Sequence, residues 1–109
     1  MQLKSKKLLY DISKAAEKIS KFTNKKNWDD YDSDDLLKSG VERQFEIIGE
    51  ALNQLSKIDN TTINKISDYQ QIISFRNILI HGYADIDDRL VWSMIETKLP
   101  ALVEDVNLL

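Results

Sequence analysis

Leu37, Val41, Phe45, Ile48, Leu52 and Leu55 follow one another at intervals of 4, 4, 3, 4 and 3 residues, with no proline between them. An apolar side chain returning every three or four positions over such a length lines one side of an α-helix; a half-buried strand would alternate with a period of two. A stripe of this kind is stable only when other elements cover it, so the remaining sequence must supply partners. It supplies them in the same currency. Leu8, Ile12, Ala15, Ile19 and Phe22 form a second stripe at intervals of 4, 3, 4 and 3. Ile72, Phe75 and Leu79 begin a third, and Leu90, Val91, Met94, Ile95, Leu99, Leu102 and Val106 a fourth. Alternation of period two is nowhere sustained, and the chain has only three glycines and one proline in 109 residues.

Four helices are therefore predicted. The first runs roughly from Leu3 to Phe22, and the second, capped by Ser33 with two aspartates behind it, runs to about Lys57. The third begins near Asp68 and stops at Gly82, and the fourth begins near Asp87. Pro100 falls inside the fourth pattern and predicts a kink or a break into two short helices. The polar stretch TNKKNWDDYDS joins the first two helices, with Trp28 and Tyr31 expected to fold it down onto the bundle. Short connections favour an all-α, antiparallel up-and-down four-helix bundle, a single domain over residues 1–109.

Composition removes several functions. Without cysteine there is neither a disulfide framework nor a Cys-based zinc site, and one histidine cannot build a multi-His centre within one chain. No metal and no cofactor is expected. No apolar run approaches the roughly 20 residues of a membrane span, and the lysine-studded N-terminus lacks the apolar core of a signal peptide, which together predict a cytoplasmic protein that does not enter membranes. The net charge of −3 hides a segregation: residues 1–26 carry eight lysines against Asp11 and Glu17, while residues 27–109 carry seven basic against sixteen acidic groups. Such a basic segment on an acidic body is either the solvated face of a helix or a surface that attracts an acidic partner or an RNA backbone.

Chemistry concentrates in SFRNILIHGYADIDD, which holds the only histidine. Arg76 offers a permanently charged planar fork for a phosphate, and His81 can give or take a proton near neutrality. On a helix Asn77 and His81 share a face four residues apart, whereas Arg76 and His81 are five apart and about 140° separated, so a phosphate between them needs the arginine to reach round. Together they suit cleavage of RNA, whose 2′-hydroxyl is a built-in nucleophile. One histidine cannot serve as base and acid in the same turnover, which favours a two-fold dimer that pools two copies. The same residues also admit a purely architectural role, with His81 at a helix end and Arg76 paired to Glu42, Glu46 or Glu50, which line one face of the second helix. Gly49 in the interior of that helix costs roughly 1 kcal/mol relative to alanine and points to close approach by another helix, with the one bearing Arg76 as a candidate.

RNILIHGY resembles the signature of HEPN-domain proteins of the HepT type: an arginine, four residues, a histidine, one residue, a tyrosine. KLLYDISKAAEKI, VERQFEIIGEAL and DDRLVWSMIETKLPAL are similar to that family's first, second and last helices, in order and with compatible spacing. The resemblance implies a helical homodimer that acts as a metal-independent ribonuclease toxin beside a minimal nucleotidyltransferase (MNT) antitoxin. It implies Arg76 and His81 as the catalytic pair, Asn77 and Glu50 as supporting polar residues, and Tyr83 as the acceptor of AMP transferred from ATP by the partner. A phenol can attack the α-phosphorus, and the resulting diester adds bulk and negative charge beside the cleft. The alternative implied by the same resemblance is a non-catalytic helical partner or adaptor of the nucleotidyltransferase.

Overall fold

The stripes become helices in the computed structural model, which describes residues 1–82 and 84–109. They are α1 (Leu3–Thr23), α2 (Trp28–Asp32), α3 (Asp35–Ile58), α4 (Asn60–Ile63), α5 (Tyr69–His81), α6 (Asp88–Thr97) and α7 (Leu99–Asn107). The described residues contain no strand, and the architecture is an all-α bundle. Ile12, Ile19, Val41, Phe45, Ile48, Leu52, Leu55, Ile72 and Leu102 are almost wholly inaccessible, each burial being worth about 1.5–3 kcal/mol before entropy is charged. Phe22 and Leu90, expected as apolar positions of the first and fourth stripes, are instead 40% and 37% exposed, although one side of the Phe22 ring lies against Gly40.

The long helix α3 is the centre: α1 packs along it, α5 packs along it, and α7 closes the side of α1. Ser5 at the start of α1 donates to Asp59 just past the end of α3 (2.7 Å), while Phe22 at the end of α1 lies against Gly40 near the start of α3. Those two contacts make α1 and α3 antiparallel. Asp59 also accepts from the backbone and hydroxyl of Thr62, so one carboxylate ends α3, caps α4 and holds α1.

Three local features depart from, or refine, the sequence reading. Asp34, not Ser33, caps α3, accepting from the Leu37 N–H at 3.0 Å. Ser33 is engaged elsewhere, its hydroxyl donating to the Asp29 carbonyl at the end of α2. The loop expected between the first two helices contains a helix of its own, α2, started by a reciprocal capping box between Asn27 and Asp30. It does fold onto the bundle: Tyr31 is buried against Trp92 with ring centroids 5.3 Å apart, and the Arg89 guanidinium covers Trp28 at 4.1 Å. Pro100 lies in the first turn of α7, where no intrahelical N–H is needed, and the fourth predicted helix is divided at Lys98.

Residues 67 and 68 fasten the start of α5 to α7 and to this break. The Ser67 N–H donates to Asp105 (2.8 Å), and Asp68, left-handed at φ 58°, takes the Lys98 ammonium at 3.1 Å. At the other side of the bundle Lys38 of α3 bonds Asp88 of α6 at 3.0 Å, closing the chain segment that carries the histidine.

Candidate active site

The site is organised by a missing side chain. Gly49 is buried in α3, and a Cβ placed on it would overlap the Cβ of Arg76 and lie 2.6 Å from its Cγ. Glycine lets α5 press the stem of Arg76 directly onto the α3 backbone. The neighbouring contact is tight as well, Phe45 meeting Phe75 edge to face at 5.1 Å. Thus the arginine emerges from the crossing of two helices rather than from a free surface, and its side chain is only 13% exposed.

Its head is held from two sides. Nη2 donates to a carboxylate oxygen of Glu50, and Nη1 donates to the Asn77 side-chain carbonyl at 2.7 Å. The other Glu50 oxygen accepts from Gln54 at 3.1 Å, so the carboxylate is itself anchored one turn further along α3. Of the three acidic residues lining α3, it is Glu50 that meets the arginine. Glu42 faces a different group, where burial, then the charges of Asp88 and Glu46, hold its carboxyl above the usual range. Burial first of all, then the charges of Glu42 itself and Asp88, push the Tyr31 phenol up.

His81 is the last residue of α5 and is exposed. Among the described residues it makes no hydrogen bond or ion pair, so the structure joins Glu50, Arg76 and Asn77 but does not bring His81 into contact with them. Helix α5 ends at Gly82, whose N–H returns to the Ile78 carbonyl at 2.7 Å. The glycine is required there by proximity, since a Cβ would lie 2.8 Å from that same oxygen; its φ of −107° needs no glycine. Tyr83 lies outside the described residues.

Sequence reasoning missed Gln54, although its position one turn beyond Glu50 on the same helix face was a usable signal. No group of three or more His, Cys, Asp or Glu among the described residues is placed to hold a metal ion. No described helix is long and apolar enough to cross a membrane.

Comparison with known proteins places this chain in a family. The family model described as "Ribonuclease HepT-like" matches residues 12–109. The chain is 28% identical to "Putative RNase MJ1380" of Methanocaldococcus jannaschii over 103 residues, covering 94% of each chain. It is 30% identical to "Probable ribonuclease HepT" of Thermococcus cleftensis over 102 residues, covering 94% of this chain and 92% of the relative. A longer protein of M. jannaschii, "Gamma-glutamylcyclotransferase and putative RNase MJ0434", is 32% identical over 98 residues, or 90% of this chain and 44% of the relative. No solved structure matches significantly. With the family model spanning almost the whole sequence, this chain belongs to the HepT-like ribonuclease family.

Proposed function

We propose that this protein is a metal-independent endoribonuclease, a single domain over residues 1–109 that works as a homodimer and serves as the toxin of a toxin-antitoxin pair. The observation that carries the reading is the immobilised guanidinium: Arg76 is fixed at a helix crossing with both terminal nitrogens already directed by Glu50 and Asn77. A preorganised cation of this kind stabilises the charge that builds on a phosphorane without reorganising at the moment of reaction.

In the proposed reaction a base takes the proton of the RNA 2′-hydroxyl, the oxygen attacks the adjacent phosphorus, and the bond to the 5′-oxygen breaks. His81 supplies the proton that the departing oxygen needs, leaving a 2′,3′-cyclic phosphate on one product and a 5′-hydroxyl on the other. Each chain has one histidine, so the base is His81 of the second copy. Glu50 and Asn77 act through Arg76 and are positioning residues. Tyr83 is the control point: its phenol attacks the α-phosphorus of ATP on a nucleotidyltransferase antitoxin, pyrophosphate leaves, and the AMP diester excludes RNA by charge and bulk.

The acidic balance of residues 27–109 favours a second reading, since it is a poor generic surface for RNA. In it the chain is a non-cleaving partner or adaptor of the nucleotidyltransferase. Growth of cells expressing the chain, with and without a co-expressed nucleotidyltransferase, separates the two. Arg76→Ala and His81→Ala should abolish both toxicity and RNA cleavage while circular dichroism stays native; toxicity that survives both substitutions sinks the proposed site. An adenylate mass increment, lost in Tyr83→Phe, tests the modification.

A further inference from the structure

Helix α1 buries Leu8, Leu9, Ile12, Ala15, Ala16 and Ile19 and turns almost all its lysines outward. Along that outer side run Lys7, Tyr10, Lys14, Lys18 and Lys21, at intervals of 3, 4, 4 and 3 residues, which is one line on a helix surface and about 21 Å long. The helix as a whole carries six lysines against Asp11 and Glu17. Those two carboxylates are taken by Lys7, Lys14 and Lys21 at 2.6–3.9 Å, and among the described residues Lys4, Lys6 and Lys18 form no ion pair. In a chain whose remaining charge is acidic, lysines that only solvate a helix would find carboxylates from the body across their path. Among the described residues no lysine of α1 forms an ion pair with a carboxylate outside α1.

The second observation is Tyr10. It sits within the lysine line, 59% exposed, its ring flanked by the Lys14 ammonium at 5.8 Å from the centroid. A cationic track with an exposed aromatic ring on it is the arrangement by which proteins hold single-stranded nucleic acid: phosphates meet the cations, and an unpaired base stacks on the ring. Duplex RNA offers no free base face for Tyr10. An anionic membrane surface would favour a helix with an accessible apolar side, and the apolar side of α1 is in the core.

We propose that the outer face of α1 is a second binding site for single-stranded RNA, in which Lys7, Lys14, Lys18 and Lys21 meet neighbouring phosphates and Tyr10 stacks a base. Both α1 and α5 pack along α3, and the track lies on the solvent side of α1, away from the α3–α5 crossing that holds Arg76. The site therefore captures a distant part of a long RNA and leaves the scissile bond to α5. Its biological meaning rests on the ribonuclease reading, but its test does not.

The test measures binding of fluorescent 20-nucleotide oligoadenylate to the full-length His81→Ala chain, which keeps the track and removes cleavage. Replacing Lys14, Lys18 and Lys21 together by glutamine should weaken binding at least tenfold and flatten the slope of log affinity against log salt by about 2, at roughly 0.7 per lost phosphate contact. Tyr10→Ala should cost about tenfold and Tyr10→Phe less than twofold, while Glu17→Gln, which removes a competing charge, should tighten binding. In the otherwise wild-type chain, the triple variant should cleave a diribonucleotide, too short to reach α1, as fast as the parent. Unchanged oligoadenylate binding in the triple variant overturns the proposal, as does a loss confined to phosphatidylserine vesicles. Absence of any cleavage with binding behaving as described would instead count against the ribonuclease reading alone. The side chains are exposed, and far-UV circular dichroism verifies that each variant is folded.

Discussion

Gly49→Ala separates two opposed effects whose sizes are known. In the interior of a helix the substitution should stabilise by about 1 kcal/mol, because alanine has less backbone entropy to lose. At this position the new methyl overlaps Arg76 Cβ and lies 2.6 Å from Cγ, where ordinary contact begins at 3.4 Å. Helices α3 and α5 must therefore part by close to an ångström or bend, loosening the Phe45–Phe75 edge contact. Overpacking of this kind costs about 1–3 kcal/mol, and because the colliding atoms belong to a stem that cannot swing away the upper part of that range, about 2–3 kcal/mol, applies here. The net expectation is destabilisation by about 1–2 kcal/mol in urea denaturation followed by circular dichroism. Removing the obstacle should reverse the sign: in an Arg76→Gly background, Gly49→Ala should stabilise by about 1 kcal/mol, a coupling of about 2–3 kcal/mol across the cycle. In the proposed mechanism the displaced guanidinium would also lower cleavage about 100-fold. Stabilisation by about 1 kcal/mol in both backgrounds would refute the claim that the glycine exists to admit Arg76.

Glu50→Ala should cost less than about 1 kcal/mol in stability, because the carboxylate it removes is half exposed, yet lower kcat more than it raises KM; Glu50→Gln should recover part of the loss. The Asp59 carboxyl is held below the usual range by hydrogen bonds from Ser5 and Thr62. Its contribution to stability is therefore present above the unfolded carboxyl pKa and lost as pH falls through the lower folded value, and Asp59→Asn should flatten the acid limb of a stability-pH profile. Glu42 has the opposite sign: burial raises its folded pKa, so folding is favoured while it is protonated and penalised as pH rises through that value. Glu42→Gln should accordingly raise the midpoint of thermal unfolding at pH 7 and have little effect at pH 4.

Stripes with a helical period were legible because burial selects the same residue types at every turn, and the stripe of α3 is occupied as its spacing requires. The break at Pro100 was legible for the related reason that proline has no N–H to give. Short helices were not. In α2 a single turn is held by two reciprocal side-chain hydrogen bonds and by the burial of one ring, and neither leaves a periodic trace in WDDYD. The cap of α3 shows the same limit, since Ser33 and Asp34 are both good caps and the choice depends on the Asp29 carbonyl having already taken the Ser33 hydroxyl. Within the site, Gly49 was visible as an anomaly because an interior helix glycine has a cost that something must offset. Spacing narrowed the partner of Arg76 only to three glutamates, since residues 42, 46 and 50 share one helix face and which of them meets the arginine depends on where α5 crosses; Glu50 was singled out by the family resemblance alone.

The two halves of the proposed chemistry are built to different tolerances. Arg76 is locked through its stem by Gly49 and through its head by Glu50 and Asn77, with Gln54 behind. His81 sits at the last helical residue, exposed and unbonded among the described residues. A charge-stabilising group gains from rigidity, because reorganisation subtracts directly from what it contributes in the transition state. A proton-transferring group must meet an oxygen whose position is defined by bound RNA, and in the proposed dimer by a second chain as well. Fixing His81 should therefore be coupled to assembly or to substrate. The imidazole NMR signals of His81 should move or broaden when RNA or a second chain binds to dilute protein. An imidazole indifferent to both would mean that this residue only ends a helix.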